Sequence, residues 1–258
     1  MTESLYLRTT YSDVRKTSPN SLLSKAKKLA APVIAALAIS GCTTSPAPGG
    51  NGNTTTTQPG IEMLNPEVAD KVYITGCDSN TTGDYSLLNN QPYSYADELK
   101  NRGARKVIKA AVNGSAIDTY TPTLAEQAVM DEINNGENAA DIKVLSQCVT
   151  NAISNGMSVE ETVQRNLDTA ETLESIGVEV IFLETPPIQP GSVIDQLKPW
   201  ANNDISQVNS ALQNATIAGN VDYIDYPNQF GYADPIHIGP TTQNAYAANI
   251  VSTLNQQP

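Results

Sequence analysis

The stretch KVYITGCDSNTTG, residues Lys71 to Gly83, is the part of the chain on which the predicted fold depends. It begins as a short run of β-branched and aromatic residues, which predicts a strand, and the run breaks at Gly76. Asp78 and Ser79 follow in a polar turn. A strand that delivers a serine at its carboxyl end is one way to hold a nucleophile in a parallel α/β sheet. A serine after an aspartate is also ordinary turn chemistry, so a base, an orienting acid and oxyanion donors are needed from elsewhere in the chain.

Composition limits the classes of function open to this chain. It has 258 residues, of which 40% are hydrophobic, enough for one sizeable core with appended segments. The formal net charge is −12, and several of the few basic residues lie within the first 28 positions. Because phosphate contacts need clustered Lys and Arg, the acidic body argues against a nucleic-acid partner. Three cysteines and one histidine show no spacing typical of metal ligands, so neither a metal nor another cofactor is predicted.

Residues 1–41 are predicted to be an export signal. Basic residues at 25, 27 and 28 precede an apolar run over 29–39, which is too short to span a bilayer, since a span needs about 20 residues. The run ends in Ile-Ser-Gly followed by Cys42. This ending resembles the lipobox of bacterial lipoproteins, in which the cysteine is acylated and becomes the new N-terminus. A buried helix that happens to end in Gly-Cys is the alternative.

The residues after Cys42 predict where the protein is held. Thr43, rather than an aspartate, follows the cysteine, and by resemblance to Gram-negative sorting rules this favours the outer membrane. We therefore expect a protein of the cell envelope, anchored in the lipid bilayer through acylated Cys42. Residues 42–60 are rich in Thr, Pro, Gly and Asn, which predicts a lipidated flexible linker. The folded domain is expected over 61–258, as a monomer.

From residue 61 onward, apolar β-rich runs alternate with helical patterns. The third helix is the best marked, because Ser158 and Glu161 form a capping-box pattern and Gly177 stands where a C′ glycine belongs. Such alternation predicts a parallel sheet covered on both faces, with ligands bound beyond the carboxyl ends of the strands. Strands are predicted at 71–76, 106–112, 142–147, 178–184 and 221–225, and helices at about 93–102, 123–134, 158–176, 200–217 and 241–254.

The single histidine, His237, lies in the predicted loop between the last strand and the last helix. Asp234 precedes it by three residues, a spacing that can place a carboxylate against Nδ1 while Nε2 faces outward. A serine needs such a base, because the acid fixes the tautomer and stabilises the imidazolium. An exposed loop histidine is the alternative. If a Ser–His pair exists, its base is His237.

These motifs together resemble the SGNH/GDSL hydrolases, which are esterases and lipases of flavodoxin-like fold. The resemblance covers roughly residues 70–256, and the short motifs occur in the family's order at the predicted strand ends. The matching residues are Asp78, Ser79 and Gly83, then Asn113 and Gly114, then Asn151, and finally Asp234 and His237. The implied fold is a three-layer α/β/α sandwich with a five-stranded parallel sheet.

The resemblance also implies an activity, that of a carboxylic ester hydrolase. Ser79 is the implied nucleophile, His237 its base, and Asp234 the residue that orients His237. The implied oxyanion hole consists of the backbone N–H groups of Ser79 and Gly114 and the side-chain amide of Asn151. Donors of this kind stabilise charge that appears only in the transition state.

Two departures from the family pattern involve cysteines. Cys77 stands where the first motif has a glycine, and Cys148 precedes Val149, which replaces the glycine of the third motif and could displace Asn151. In a flavodoxin-like sheet the first and third strands are neighbours, about 5 Å apart, which is within reach of a disulfide. We therefore hypothesise a Cys77–Cys148 disulfide, in keeping with export to an oxidising compartment. Two buried free thiols are the alternative.

The identity of the ester is less well defined by these motifs. No long apolar lid segment is evident, and the acidic body disfavours anionic substrates. A small-molecule or carbohydrate ester with a short acyl group, such as an O-acetyl sugar, is therefore favoured. A lysophospholipase or thioesterase acting on lipids is the close alternative. A catalytically silent surface lipoprotein that binds carbohydrate is an alternative of a different class.

Overall fold

The structure is a computed structural model that describes residues 61–76, 79–117, 119, 121, 123–218, 222–227 and 231–257. The predicted export signal, the linker and Cys42 lie outside the described residues, as do Cys77 and Asp78. In the described part of the chain, no helix is both long enough and apolar enough to cross a membrane.

The elements alternate between strand and helix over most of the described chain. In chain order they are α1 (Pro66–Ala69), β1 (Val72–Gly76), α2 (Ser79–Thr82), β2 (Leu87–Leu88), β3 (Gln91–Pro92), α3 (Tyr95–Asn101), β4 (Lys106–Lys109), α4 (Leu124–Asn134), a 3₁₀ turn (Ala139–Asp141), β5 (Ile142–Ser146), α5 (Thr150–Ser154), α6 (Val159–Glu174), β6 (Glu179–Leu183), α7 (Val193–Leu197), α8 (Ala201–Ala218), β7 (Asp222–Ile224) and α9 (Pro240–Leu254).

The main sheet has five strands in the spatial order β4-β1-β5-β6-β7, and every neighbouring pair is parallel. The strand order reverses at β1, which is the flavodoxin-like arrangement. Both the α/β class and the five-stranded parallel sheet predicted from the sequence are therefore confirmed. The reversal leaves a crevice between the carboxyl ends of β1 and β5, which is where ligands bind in sheets of this topology.

Apolar layers cover both faces of the sheet. In β1 the side chains of Val72 and Ile74 belong to one layer, packed with α4, α6 and α8, while Tyr73 belongs to the opposite layer, packed with α3 and α9. All five residues of β1 are buried, as expected of a central strand in a parallel sheet with helices on both sides. The part of the chain that the structure describes is thus built in three layers.

The start and end of α6 follow the predicted signals in part. The hydroxyl of Ser158 accepts the N–H of Glu161 at 3.1 Å, but the Glu161 carboxylate pairs with Arg165 at 2.9 Å, so the capping box is only half formed. At the other end Gly177 has a φ of +89°, and the N–H of the next residue donates to the carbonyl of Leu173. This is the helix ending that a C′ glycine permits.

Several local features differ from the sequence-based expectation, among them four short helices that were not predicted, α1, α2, α5 and α7. The strand predicted over 106–112 ends at Lys109, which pairs with Thr75 as the last β4 residue in register with β1. The small hairpin of β2 and β3 was not predicted. Its turn places Asn89 and Asn90 at φ values of 53° and 62°, the left-handed conformation that a two-residue hairpin turn requires.

Candidate active site

Three of the predicted site residues meet at the carboxyl edge of the sheet. Ser79 is the first residue of α2, just beyond the carboxyl end of β1. Asp234 and His237 lie in the loop between β7 and α9. An isolated antiparallel β-bridge between Tyr232 and Ile238 closes the base of this loop, so that the residues between them turn back toward α2.

The three side chains form a continuous hydrogen-bonded relay. Ser79 Oγ lies 2.7 Å from His237 Nε2, and His237 Nδ1 lies 2.7 and 2.8 Å from the two carboxylate oxygens of Asp234. Ser79 is only 6% exposed and His237 only 9% exposed. When Nδ1–H donates to the carboxylate, Nε2 carries the lone pair that accepts the serine hydroxyl proton. The order acid, imidazole, hydroxyl is the one that a serine base requires.

The backbone holds the Asp234 carboxylate in place. Its Oδ1 accepts the N–H groups of Ile236 and His237, each at 2.9 Å. Burial acts to raise the pKa of Asp234, but these two N–H groups and the imidazole outweigh it, so the pKa lies below its usual value. The lowered pKa keeps the Asp234 carboxylate ionised, so that it can balance the positive charge of a protonated imidazole.

A second set of buried bonds fixes the distance between the serine and the histidine. Asn80 Oδ1 accepts the N–H of Ile238 at 3.2 Å, so the residue after Ser79 is tied to the residue after His237. Gln243, on α9, donates through Nε2 to the Asn80 carbonyl at 3.1 Å. Neither Asn80 nor Gln243 is among the residues predicted from the sequence. For Gln243 the sequence offers one signal, a polar side chain on the buried face of the helix α9.

Of the three predicted oxyanion donors, Ser79 begins α2, and the other two, Gly114 and Asn151, lie at or against the turn after β4. Gly114 has a φ of +77°, is exposed, and has open space around it, because an added Cβ would meet no atom within 4 Å. Asn151 is the second residue of α5, and its Nδ2 donates to the carbonyl of Ser115 at 2.8 Å. A side-chain amide has two N–H groups, so one at most is left for an oxyanion.

The neighbours of these donors are also defined by contacts. Asn113 accepts the hydroxyl of Thr82 and donates to the carboxylate of Asp84, both at 2.7 Å, which links the β4 turn to the end of α2. Val149, in the position of the family's third-motif glycine, is buried in the apolar layer. Its side chain therefore occupies the core, and Asn151 still reaches the turn that carries Gly114.

Cys148 follows β5 and is buried beside the site. It takes part in a disulfide. Its partner lies outside the described residues, and Cys77 does as well, so the Cys77–Cys148 pairing stays a prediction. The register of the sheet agrees with it, since Gly76 at the end of β1 is paired with Ser146 at the end of β5.

One further side chain contacts the imidazole and was missed by sequence reasoning. The ring of Tyr85 is stacked on that of His237, with centroids 4.0 Å apart and planes inclined by 11°. In the sequence Tyr85 lies between a glycine and a short apolar pair, and no pattern around it predicts a contact with His237. Over the described residues, no cluster of three or more His, Cys, Asp or Glu is arranged to hold a metal ion.

No protein-family model matches the chain, and no curated protein sequence matches it. Solved structures do match. One is a member of the lipolytic protein G-D-S-L family from Veillonella parvula DSM 2008, with a TM-score of 0.57 and 15% identity over 72% of this chain and 99% of that chain. The chain shares the fold of this lipolytic protein.

Two further solved structures agree. A carbohydrate acetylesterase family member from Sinorhizobium meliloti has a TM-score of 0.53 and 13% identity over 72% of this chain and 100% of that one. A GDSL-like lipase from Bacteroides thetaiotaomicron VPI-5482 has a TM-score of 0.53 and 14% identity over 75% and 91%. At this identity the likeness is one of fold, and the chemistry depends on the side chains at the site.

Proposed function

We propose that this protein is a serine ester hydrolase, which converts a carboxylic ester and water into an acid and an alcohol. One observation carries the proposal, the relay in which Ser79 Oγ, the His237 imidazole and the Asp234 carboxylate follow one another at 2.7 Å. A hydroxyl bonded to an imidazole that is backed by a carboxylate is the arrangement that activates a serine. The fold shared with the G-D-S-L lipolytic protein supports the same conclusion.

In the proposed acylation step, Ser79 Oγ attacks the ester carbonyl carbon and its proton passes to His237 Nε2. The Asp234 carboxylate stabilises the imidazolium that forms. The carbonyl oxygen becomes an oxyanion, for which the backbone N–H groups of Ser79 and Gly114 and the amide of Asn151 are the proposed donors. The bond to the alcohol oxygen then breaks, and the imidazolium returns its proton to that oxygen.

Deacylation repeats these steps with water in place of serine. His237 takes a proton from a water molecule, whose oxygen attacks the carbonyl carbon of the acyl-serine. The tetrahedral intermediate breaks its bond to Ser79 Oγ, which receives the proton back from the imidazolium. The acid leaves and the site returns to its starting state.

We propose that the substrate is a short acyl ester, with an O-acetyl carbohydrate as the favoured case. The net charge of −12 favours neutral over anionic substrates, and a sugar ester is neutral. One of the structural neighbours is named as a carbohydrate acetylesterase family member. The second candidate is an acyl compound with a longer chain, either an ester such as a lysophospholipid or a thioester. The exposed Leu87 and Leu88, on the hairpin that follows Tyr85, favour that alternative.

A chain-length series tests both candidates. Wild type is assayed on p-nitrophenyl esters from acetyl to lauroyl and on acetylated sugars, beside Ser79→Ala and the control Ser175→Ala, which alters an exposed serine at the end of α6. We expect kcat/KM to be highest for acetyl, to fall more than about 10⁴-fold in Ser79→Ala, and to be unchanged in the control.

Other results of the series would be decisive as well. A kcat/KM that rises with acyl length would contradict the short-acyl substrate and favour a lipid ester. If wild type and Ser79→Ala are equally inert on every ester, the hydrolase proposal fails. Binding of carbohydrate by such an inert protein, measured by calorimetry, would identify the silent surface lipoprotein instead.

We also propose that the protein is anchored in the cell envelope through acylated Cys42. Support comes from the basic residues, apolar run and small residues that precede this cysteine. Full-length chain expressed in a Gram-negative host should appear in the outer-membrane fraction, with the mass of the acyl groups on the mature N-terminal cysteine. Cys42→Ala should abolish both. Recovery of an unmodified, unprocessed chain from wild type would contradict the proposal.

A further inference from the structure

The Tyr85 ring covers one face of the imidazole at the centre of the relay. The two rings are nearly parallel, 11° apart in inclination, with their centroids at 4.0 Å. Tyr85 itself is 48% exposed, whereas His237 is 9% exposed. The tyrosine is therefore part of the layer that separates the imidazole from solvent, and its loss would uncover that face.

The turn that presents Tyr85 is tightly built. The carbonyl of Gly83 accepts the N–H groups of Ser86 and Tyr93, at 3.0 and 3.2 Å, which closes the chain on both sides of Tyr85. Gly83 has a φ of +76°, and an added Cβ would lie 2.6 Å from the backbone carbonyl of Tyr93. Only glycine fits there. The backbone that carries Tyr85 is thus held in place on both sides.

The stacking supplies a restraint that the hydrogen bonds of the relay lack. Asp234 and Ser79 both bond to the imidazole nitrogens in the plane of the ring, and such bonds set the direction of the ring better than its tilt. A parallel ring against the face opposes tilting. An aromatic face also attracts a cation, and the imidazole becomes a cation when it takes the serine proton.

We propose that Tyr85 is a positioning residue for His237, which holds the plane of the imidazole and stabilises its protonated form during each proton transfer. The kinetic part of this inference rests on the proposed hydrolase function. Because the added stabilisation acts on charge that exists only after proton transfer, it should appear in kcat and leave KM unchanged. The phenol hydroxyl has no part in it, so phenylalanine should replace tyrosine.

The kinetic test compares Tyr85→Phe and Tyr85→Leu with wild type. We expect Tyr85→Phe to retain wild-type kcat and Tyr85→Leu to lower kcat by roughly two- to fivefold, the size of a partly exposed cation–π contact, at constant KM. Trp200→Leu is the matched control, since Trp200 is an aromatic residue of similar exposure (49%), and its kcat should not change. Equal kcat in the Phe and Leu variants, or a loss confined to KM, would overturn the proposal.

A second measurement does not depend on activity. His237 is the only histidine of the chain, so in protein without an affinity tag its imidazole C–H signals in NMR spectra need no further assignment. Ring currents should move these signals upfield in wild type and Tyr85→Phe and not in Tyr85→Leu. If wild type is inert on all esters, the hydrolase function fails while the spectra still decide the stacking. If the enzyme is active and the Phe and Leu spectra agree, the role of Tyr85 alone is disproved.

Discussion

The two sides of the site differ in how much of their geometry exists before a substrate arrives. On the side of the proposed base, called the base side and formed by Ser79, Asp234 and His237, the side chains are bonded to one another at 2.7 to 2.8 Å. On the side of the proposed oxyanion donors Gly114 and Asn151, called the oxyanion side, a Cβ added at Gly114 would meet no atom within 4 Å, and Asn151 uses one N–H to hold the neighbouring backbone. The first side is closed and the second is open.

The difference follows from what each side has to do. A proton can pass between serine and histidine only across a short hydrogen bond, so that bond is best formed in advance. Oxyanion donors act on an atom that the substrate brings, so their N–H groups must face unoccupied space. Pairs of similar substitutions on the two sides separate these requirements.

On the base side, Asp234→Asn should lower kcat by about 10⁴-fold. The amide can keep the backbone N–H bonds through Oδ1, but it offers N–H to Nδ1 and so favours the tautomer whose Nε2 cannot accept the serine proton. Steady-state kinetics measures the loss, and circular dichroism establishes that the variant is folded. A loss below tenfold in a folded variant would mean that Asp234 does not orient the imidazole.

On the oxyanion side, Asn151→Ala should lower kcat by about 10²–10³-fold, less than the change at Asp234, because two backbone donors remain. Asn151→Asp is the harsher partner variant, since it places a carboxylate where negative charge develops. We expect the order wild type, Ala, Asp in kcat for acetyl esters. An alanine variant with wild-type kcat would show that Asn151 serves only to hold the carbonyl of Ser115.

Two glycines form a matched pair, Gly83, which follows α2 on the base side, and Gly114 on the oxyanion side. Their φ values are nearly the same, +76° and +77°. Alanine at either position incurs the left-handed backbone cost of about 1–2 kcal/mol. Gly83→Ala also forces a Cβ against the Tyr93 backbone, which adds about 1–3 kcal/mol. Chemical denaturation should therefore show the larger loss of unfolding free energy for Gly83→Ala. Equal losses would mean that the turn before Tyr85 is not closely packed.

The smallest effect concerns pH and the Asp234 carboxylate. Its pKa is lower in the folded protein than in the unfolded chain, so it contributes stability above the unfolded pKa, and that contribution is lost as pH falls through the folded pKa. Asparagine does not titrate. The Tm difference between wild type and Asp234→Asn should therefore shrink as pH falls from about 7 to about 3. A constant difference over this range would indicate that the carboxylate gains nothing from its partners on folding.

Residue patterns predicted most of the fold because they are local. The helix that became α6 is recognisable from its Ser158 cap and from Gly177, and both act within the helix that they delimit. The predicted strands correspond to those of the sheet within a few residues, except where β4 ends at Lys109. That exception depends on which residues pair with the neighbouring strand β1, and local patterns do not contain this information. The β2–β3 hairpin was missed because its strands are two residues long and its signal is only an Asn-Asn pair.

Patterns in the sequence predicted the fold class, and they identified Asp234 and His237 as the carboxylate and the imidazole of the relay, because these residues are three apart and the chain has one histidine. The sequence also pointed to Ser79, Gly114 and Asn151, through motifs at predicted strand ends. The groups that enclose these residues are evident only from the packing of the folded chain. Tyr85 on the imidazole and Asn80 against Ile238 are contacts between segments about 150 residues apart in the chain. Such contacts arise from packing of α2 and its loop against the loop before α9, and no local periodicity encodes them.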